Sequence, residues 1–181
     1  MQNVEAQIEA LQSQIAAMDK KIPSNKISMI VFSGEMDKVL AAFVIATGAV
    51  AMGMDVVMFF TFWGTPILRD KTKTASGKDT MGKMFGAMLP KGTPDVKLSK
   101  MNMGGMGTAM MKSLMKKKNV ASLDQMMEMA EEFGVQIFVC EMSMDLMGFK
   151  REEMIDYSGL SYCGVATFLE QANDSRIQLF I

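Results

Sequence analysis

The chain's two cysteines, Cys140 and Cys163, are where chemistry most readily rests, because none of its 181 residues is histidine. That absence removes Ser-His-Asp and Cys-His catalysis, histidine-ligated metals and histidine pH switching together. Two cysteines are also too few for a four-cysteine zinc site or a disulfide-rich scaffold. Cys140 closes an apolar run and is followed by Glu141 and the stretch MSMDLMG. In parallel α/β sheets, reacting groups gather beyond the carboxyl ends of strands, and a helix starting there favours a thiolate. Glu141 and Asp145 oppose that charge and no base is adjacent, so position alone leaves nucleophile and inert core thiol both open. Cys163, in SYCGVATF, reads first as a small buried thiol. Its second reading is a resolving partner for Cys140, at a distance the sequence does not give.

Methionine is in large excess, at 23 residues. The run MNMGGMGTAMM at 101–111 raises the question of Cu(I), which soft thioethers of Met101, Met103 and Met106 would select. An adaptable, methionine-rich contact surface is the plainer reading. A dinucleotide loop fails, because Met110 stands where Gly105 and Gly107 would need a third glycine. No resident metal or cofactor is expected. Ser33-Gly34-Glu35 follows an apolar run and offers backbone N–H groups to an anion, without forming a Walker A loop.

Charge is unevenly spread. Residues 69–118 carry twelve basic and three acidic side chains, a balance of +9, so with a total of −1 the remainder carries −10. Such a segment is a solvated lysine face, or it docks an acidic protein or an anionic lipid surface. Nucleic acid is not expected, since Phe85 is its sole aromatic for stacking.

The elements that must position these residues follow from apolar spacing. Val4, Ile8, Leu11, Ile15, Met18 and Ile22 recur at alternating intervals of four and three, a heptad seam over residues 1–22. It either lies on its own domain or self-associates into a homo-oligomer. Strands are expected at 27–32, 55–62, 135–140 and 176–181, and helices at 37–52, 122–132 and 164–172. Ser122 with Gln125 is a capping-box pair, and Gly134 stops that helix. Buried strands joined by helices imply an α/β fold, a three-layer sandwich with a mainly parallel sheet of flavodoxin or Rossmann type. Residues 1–25 form the helix and linker, and 26–181 the domain, with a basic Met/Gly-rich insertion at 64–121 carrying helices near 80–89 and 103–115. The uncharged stretch 39–54 is short of the roughly 20 residues a bilayer needs and reads as a buried helix. With no basic, then apolar leader at the amino terminus, a cytoplasmic location is expected.

The segments SGEMDK (33–38), AAFVIATGAVAMGMDVVMFFTFWG (41–64), KLSKMNMGGMG (97–107), VCEMSMDLMG (139–148) and CGVATFL (163–169) resemble the DsrE/DsrF-like family, in its methionine-rich, peroxiredoxin-like branch. The resemblance spans about residues 26–181. It implies an oligomeric α/β sandwich in sulfur relay, accepting sulfane sulfur on a strand-end cysteine, here Cys140, and passing it to TusA-like or rhodanese-type partners. No role for Cys163 comes with it. Backbone groups near Ser33, Gly34 and Ser143 would then bind an oxyanion, and Phe62, Trp63 and Gly64 would wall the pocket. The expected function is a sulfur carrier or sulfurtransferase that uses a Cys140 persulfide, with the insertion on a partner or the inner membrane face. The alternatives are a non-catalytic oligomeric interaction protein and a Cu(I)-binding protein.

Overall fold

Strand β1 (Ser24–Val31) buries Ile27, Met29 and Val31 on one face and Ser28 on the other. A central parallel strand covered from both sides requires this. The computed structural model describes residues 2–19 and 22–181. Helix α1 (Gln2–Asp19) precedes β1, and α2 (Met36–Ala51) follows it. Next come β2 (Asp55–Phe60), a 3-10 turn at Phe62–Leu68, α3 (Thr80–Met88), α4 (Met106–Lys117) and α5 (Leu123–Glu132). Strand β3 (Gln136–Cys140), α6 (Glu141–Met147), β4 (Leu160–Cys163), α7 (Val165–Asn173) and β5 (Ser175–Phe180) complete the order. The five strands pair in parallel in the order β4-β3-β2-β1-β5.

The α/β sandwich expected from the sequence is therefore present. On one face α2 and α5 pack Val39, Phe43, Ala46, Leu123, Met127 and Ala130 in one core with Met29, Met58 and Ile137 of the sheet. The other face has a smaller core, in which Phe168 and Ala172 of α7 meet Val57, Phe59, Phe138, Cys140 and Cys163. Phe168 stacks on Phe59 with centroids 4.8 Å apart. The capping box of α5 forms as expected, Ser122 and Gln125 each accepting from the other's backbone N–H. Strand β4 was not anticipated, while the turn or short helix start expected after Cys140 is α6. The stretch 39–63 folds as helix then strand, and no described helix is long and apolar enough to cross a membrane.

Helix α1 presents Val4, Ile8, Leu11 and Ile15 to solvent. The Met18 side chain and residues 1, 20 and 21 of the expected seam lie outside the described residues. In the 64–121 insertion both expected helices form, the second starting at Met106 because Met103, Gly104 and Gly105 take positive φ of 47°, 68° and 102°.

A buried ion cluster holds the start of this insertion to the segment between α6 and β4. Glu153 pairs with Arg69 at 3.4 Å and with Lys78, and all three side chains are at least nine-tenths buried. Arg69 donates to the carbonyls of Gly86 and Pro90, and its guanidinium lies 4.5 Å from the centroid of the Phe149 ring. Burial pulls the Arg69 pKa down, against the opposing pull of Glu153. Removing one partner of a buried pair strands the other charge, which costs more than the pair contributes. Glu153→Gln is expected to lower unfolding stability by about 3–5 kcal/mol. Lys71→Gln, which removes a surface pair with Asp95, should shift it by no more than about 1 kcal/mol. Urea denaturation of the two variants beside the parent checks both values.

Candidate functional site

The chain leaves β1 and β2 through segments pressed together. A Cβ on Gly34 would stand 2.3 Å from the Trp63 carbonyl oxygen, and one on Gly64 would stand 2.2 Å from that of Val31. Only glycine allows this double backbone approach. Ser33 accepts a hydrogen bond from Lys38 Nζ at 3.1 Å, and Lys38 also pairs with Glu35. Trp63 is half exposed, and Phe62 packs with Phe32 at 5.4 Å and joins the first-face core.

Phe62 holds a left-handed φ of 43°, rare for a bulky residue. Its N–H donates to Ser143 Oγ at 2.9 Å, and the same hydroxyl bonds Thr61 Oγ1 at 3.0 Å. Ser143 is wholly buried on α6, so its hydroxyl ties that helix to the end of β2. The structure thus gathers Ser33, Gly34, Trp63 and Gly64 at one seam and Phe62 and Ser143 at a second.

Cys140 ends β3 and stands at the N-cap of α6, as the sequence anticipates. Alternation along β3 sends Ile137 and Val139 to the first core and Phe138 and Cys140 to the second, so the thiol faces away from the core that holds Phe62. It is 3% exposed. Directly beside it in the ladder is Cys163 at the end of β4, also buried and also a free thiol. Burial pushes the Cys163 pKa up, and the negative charges available at Cys140 and Glu141 add to the rise. Glu141 pairs with Arg151 at 2.5 Å, and the Arg151 guanidinium sits 4.6 Å from the centroid of the Tyr162 ring. Gly164, the next residue after Cys163, is exposed, with open space where a Cβ would be. A cavity of about 450 Å³ lined by Met36, Leu40, Val96, Met115 and Leu123 lies on the first face instead. Among the described residues no three His, Cys, Asp or Glu side chains converge as a metal site. Met101, Met103 and Met106 are all exposed to solvent.

A parallel three-layer α/β domain with a cysteine at the end of a central strand is the class that fold and site define. The ychN protein of E. coli shares the fold, with a TM-score of 0.50 and 11% identity over 86% of this chain and 98% of that one. The DsrE/DsrF/DrsH-like family matches residues 23–180, and the chain belongs to that family. It is 43% identical over 158 residues to the uncharacterized protein YrkE of Bacillus subtilis (strain 168), covering 87% of this chain and 98% of the relative. It is 37% identical over 159 residues to the sulfur carrier protein DsrE2 of Allochromatium vinosum, covering 86% and 98%.

Sequence reasoning named both thiols but not their adjacency, because β4 is only four residues long and lacks a clear period. It also missed the Ser143 bridge, whose partners lie 81 and 82 residues away. Ser143→Ala leaves the Phe62 N–H without its acceptor and is expected to cost about 1–3 kcal/mol. Thermal unfolding of that variant measures the loss, and an unchanged midpoint would mean that water replaces the hydroxyl.

Proposed function

We propose that the protein is a sulfur carrier or sulfurtransferase that holds sulfane sulfur on Cys140 as a persulfide. The observation that carries this reading is Cys140 at the carboxyl end of β3, in a chain of this family with a sulfur carrier among its relatives. The chemistry is thiol exchange. The Cys140 thiolate attacks the outer sulfur of a donor persulfide, a Cys140 S–S bond forms, and the donor leaves as its thiolate. An acceptor thiolate then attacks the outer sulfur and Cys140 departs as thiolate. No net oxidation occurs and no histidine is needed.

Burial shapes how this works. A Cys140 persulfide packed among Phe138, Phe168 and Cys163 is sheltered from water and oxidants between transfers. Donor and acceptor reach it through the open side at Gly164, with movement of the start of α7. Partner recognition falls to the insertion, where Met81, Met84 and Met88 of α3 and Met106, Met110 and Leu114 of α4 are exposed. Lys112, Lys116 and Lys117 flank the α4 row, suiting an acidic relay protein of TusA-like or rhodanese type, or the cytoplasmic face of a membrane. The exposed α1 seam serves self-association.

The test is intact-protein mass spectrometry after reduced protein meets thiosulfate, polysulfide or glutathione persulfide. A one-sulfur adduct, with sulfite leaving where thiosulfate is the donor, is expected on the parent and on Cys163→Ser, and none on Cys140→Ser. Absence of any adduct from all three, with native folding retained, would return Cys140 to a packing role and leave assembly as the function.

A further inference from the structure

We propose that Cys163 is the resolving thiol of the Cys140 persulfide, discharging its outer sulfur as hydrosulfide when no acceptor thiol arrives. The inference rests on the persulfide reading and adds a second fate for the bound sulfur.

The geometry comes from the sheet itself. Cys140 and Cys163 are register partners in the parallel β3–β4 ladder. Partners in a parallel ladder project to the same face, and both side chains belong to the same small core. Neighbouring strands lie about 4.8 Å apart, within the roughly 4.4–6.8 Å between Cα atoms that a disulfide tolerates. Cys163 is the last residue of β4, which pairs only with β3 and so forms an edge of the sheet. Beyond it, Gly164 leaves open space. The cores elsewhere hold no other thiol, so these two are the chain's whole complement.

The surroundings also suit the step. Cys163 waits as the protonated thiol, its pKa raised by burial and by charge at Cys140 and Glu141. A persulfide formed at Cys140 brings a terminal sulfur that is a local proton acceptor. The Cys163 proton passes to that sulfur, and the Cys163 thiolate attacks the inner sulfur of Cys140. A Cys140–Cys163 bond forms, the bond between inner and outer sulfur breaks, and the outer sulfur leaves as hydrosulfide. The sulfane sulfur is reduced by two electrons, and the two cysteine sulfurs are oxidised to the disulfide. An external dithiol then returns the pair to thiols. Apolar neighbours Phe138, Phe168 and Val57 supply no competing base or nucleophile.

Full-length reduced protein is treated with one equivalent of inorganic polysulfide, with no acceptor thiol present. Mass is followed without reductant, and released sulfide is trapped with a bimane reagent. The parent chain is expected to gain one sulfur, then lose it with two hydrogens as sulfide appears, leaving a peptide pair cross-linked through Cys140 and Cys163. Cys163→Ser and Cys163→Ala are expected to keep the added sulfur and release no sulfide beyond that set free from the polysulfide on loading. A parent adduct as long-lived as that of the variants would overturn the inference while leaving the carrier reading intact. So would equal sulfide release from all chains. If no chain takes up sulfur, the carrier reading fails and this one falls with it. Oxidation of the reduced parent with diamide isolates the geometric claim: a Cys140–Cys163 disulfide is expected, and its absence sinks the proposal.

Discussion

The passage from β4 at one edge of the sheet to β5 at the other constrains everything else. A crossover between parallel strands is right-handed. The first connections step steadily from β1 through β2 and β3 to β4, which puts their helices on one face. The return from β4 to β5 reverses direction and carries α7 to the opposite face. One nine-residue helix therefore covers that side, against the sixteen-residue apolar α2 together with the amphipathic α5 on the other. The small core it makes is where both thiols lie. Their shelter, their apolar company and their proximity to an open edge all follow from the direction of one crossover.

The two ends of the molecule's chemistry are thus separated. Thiol sulfur is confined under α7, while thioether sulfur is displayed on α3 and α4 in the basic insertion. The start of the insertion is anchored where Glu153 pairs with both Arg69 and Lys78 inside the protein and Phe149 faces the two cations. Its exposed methionines lie on α3 and α4. Flexible methionine side chains suit an adaptable contact surface.

Much of this was legible in the amino-acid order. Strands β1, β2 and β3 announced themselves as apolar runs, and α5 carried its own start and stop in Ser122, Gln125 and Gly134. Cys140 was legible because QIFVC ends a run and a turn-forming stretch follows. What stayed hidden was set by tertiary pairing. LSYC has no strand signature of its own and becomes one only because Gly159 brings it alongside β3. The register that aligns Cys163 with Cys140 is a property of that pairing and of neither segment alone. Ser143 looked available to a ligand, yet its hydroxyl is committed to Thr61 and Phe62. Arg69 and Lys78 counted only toward the basic balance of residues 69–118, because their pairing with Glu153 spans distant parts of the chain.

The pairing of β1 with β5 has a consequence for how the protein is made. Ser24 in β1 bonds Asp174 just before β5, partners 150 residues apart. During synthesis β1 emerges early and finds β2 soon after, but its other edge stays open until the ribosome has delivered almost all the intervening chain. Through that interval an apolar strand presents an unpaired row of backbone groups, the condition under which nascent chains stick to one another. The backbone of β5 closes the gap last by pairing along β1, so the order of translation makes the late strand the guardian of the early one.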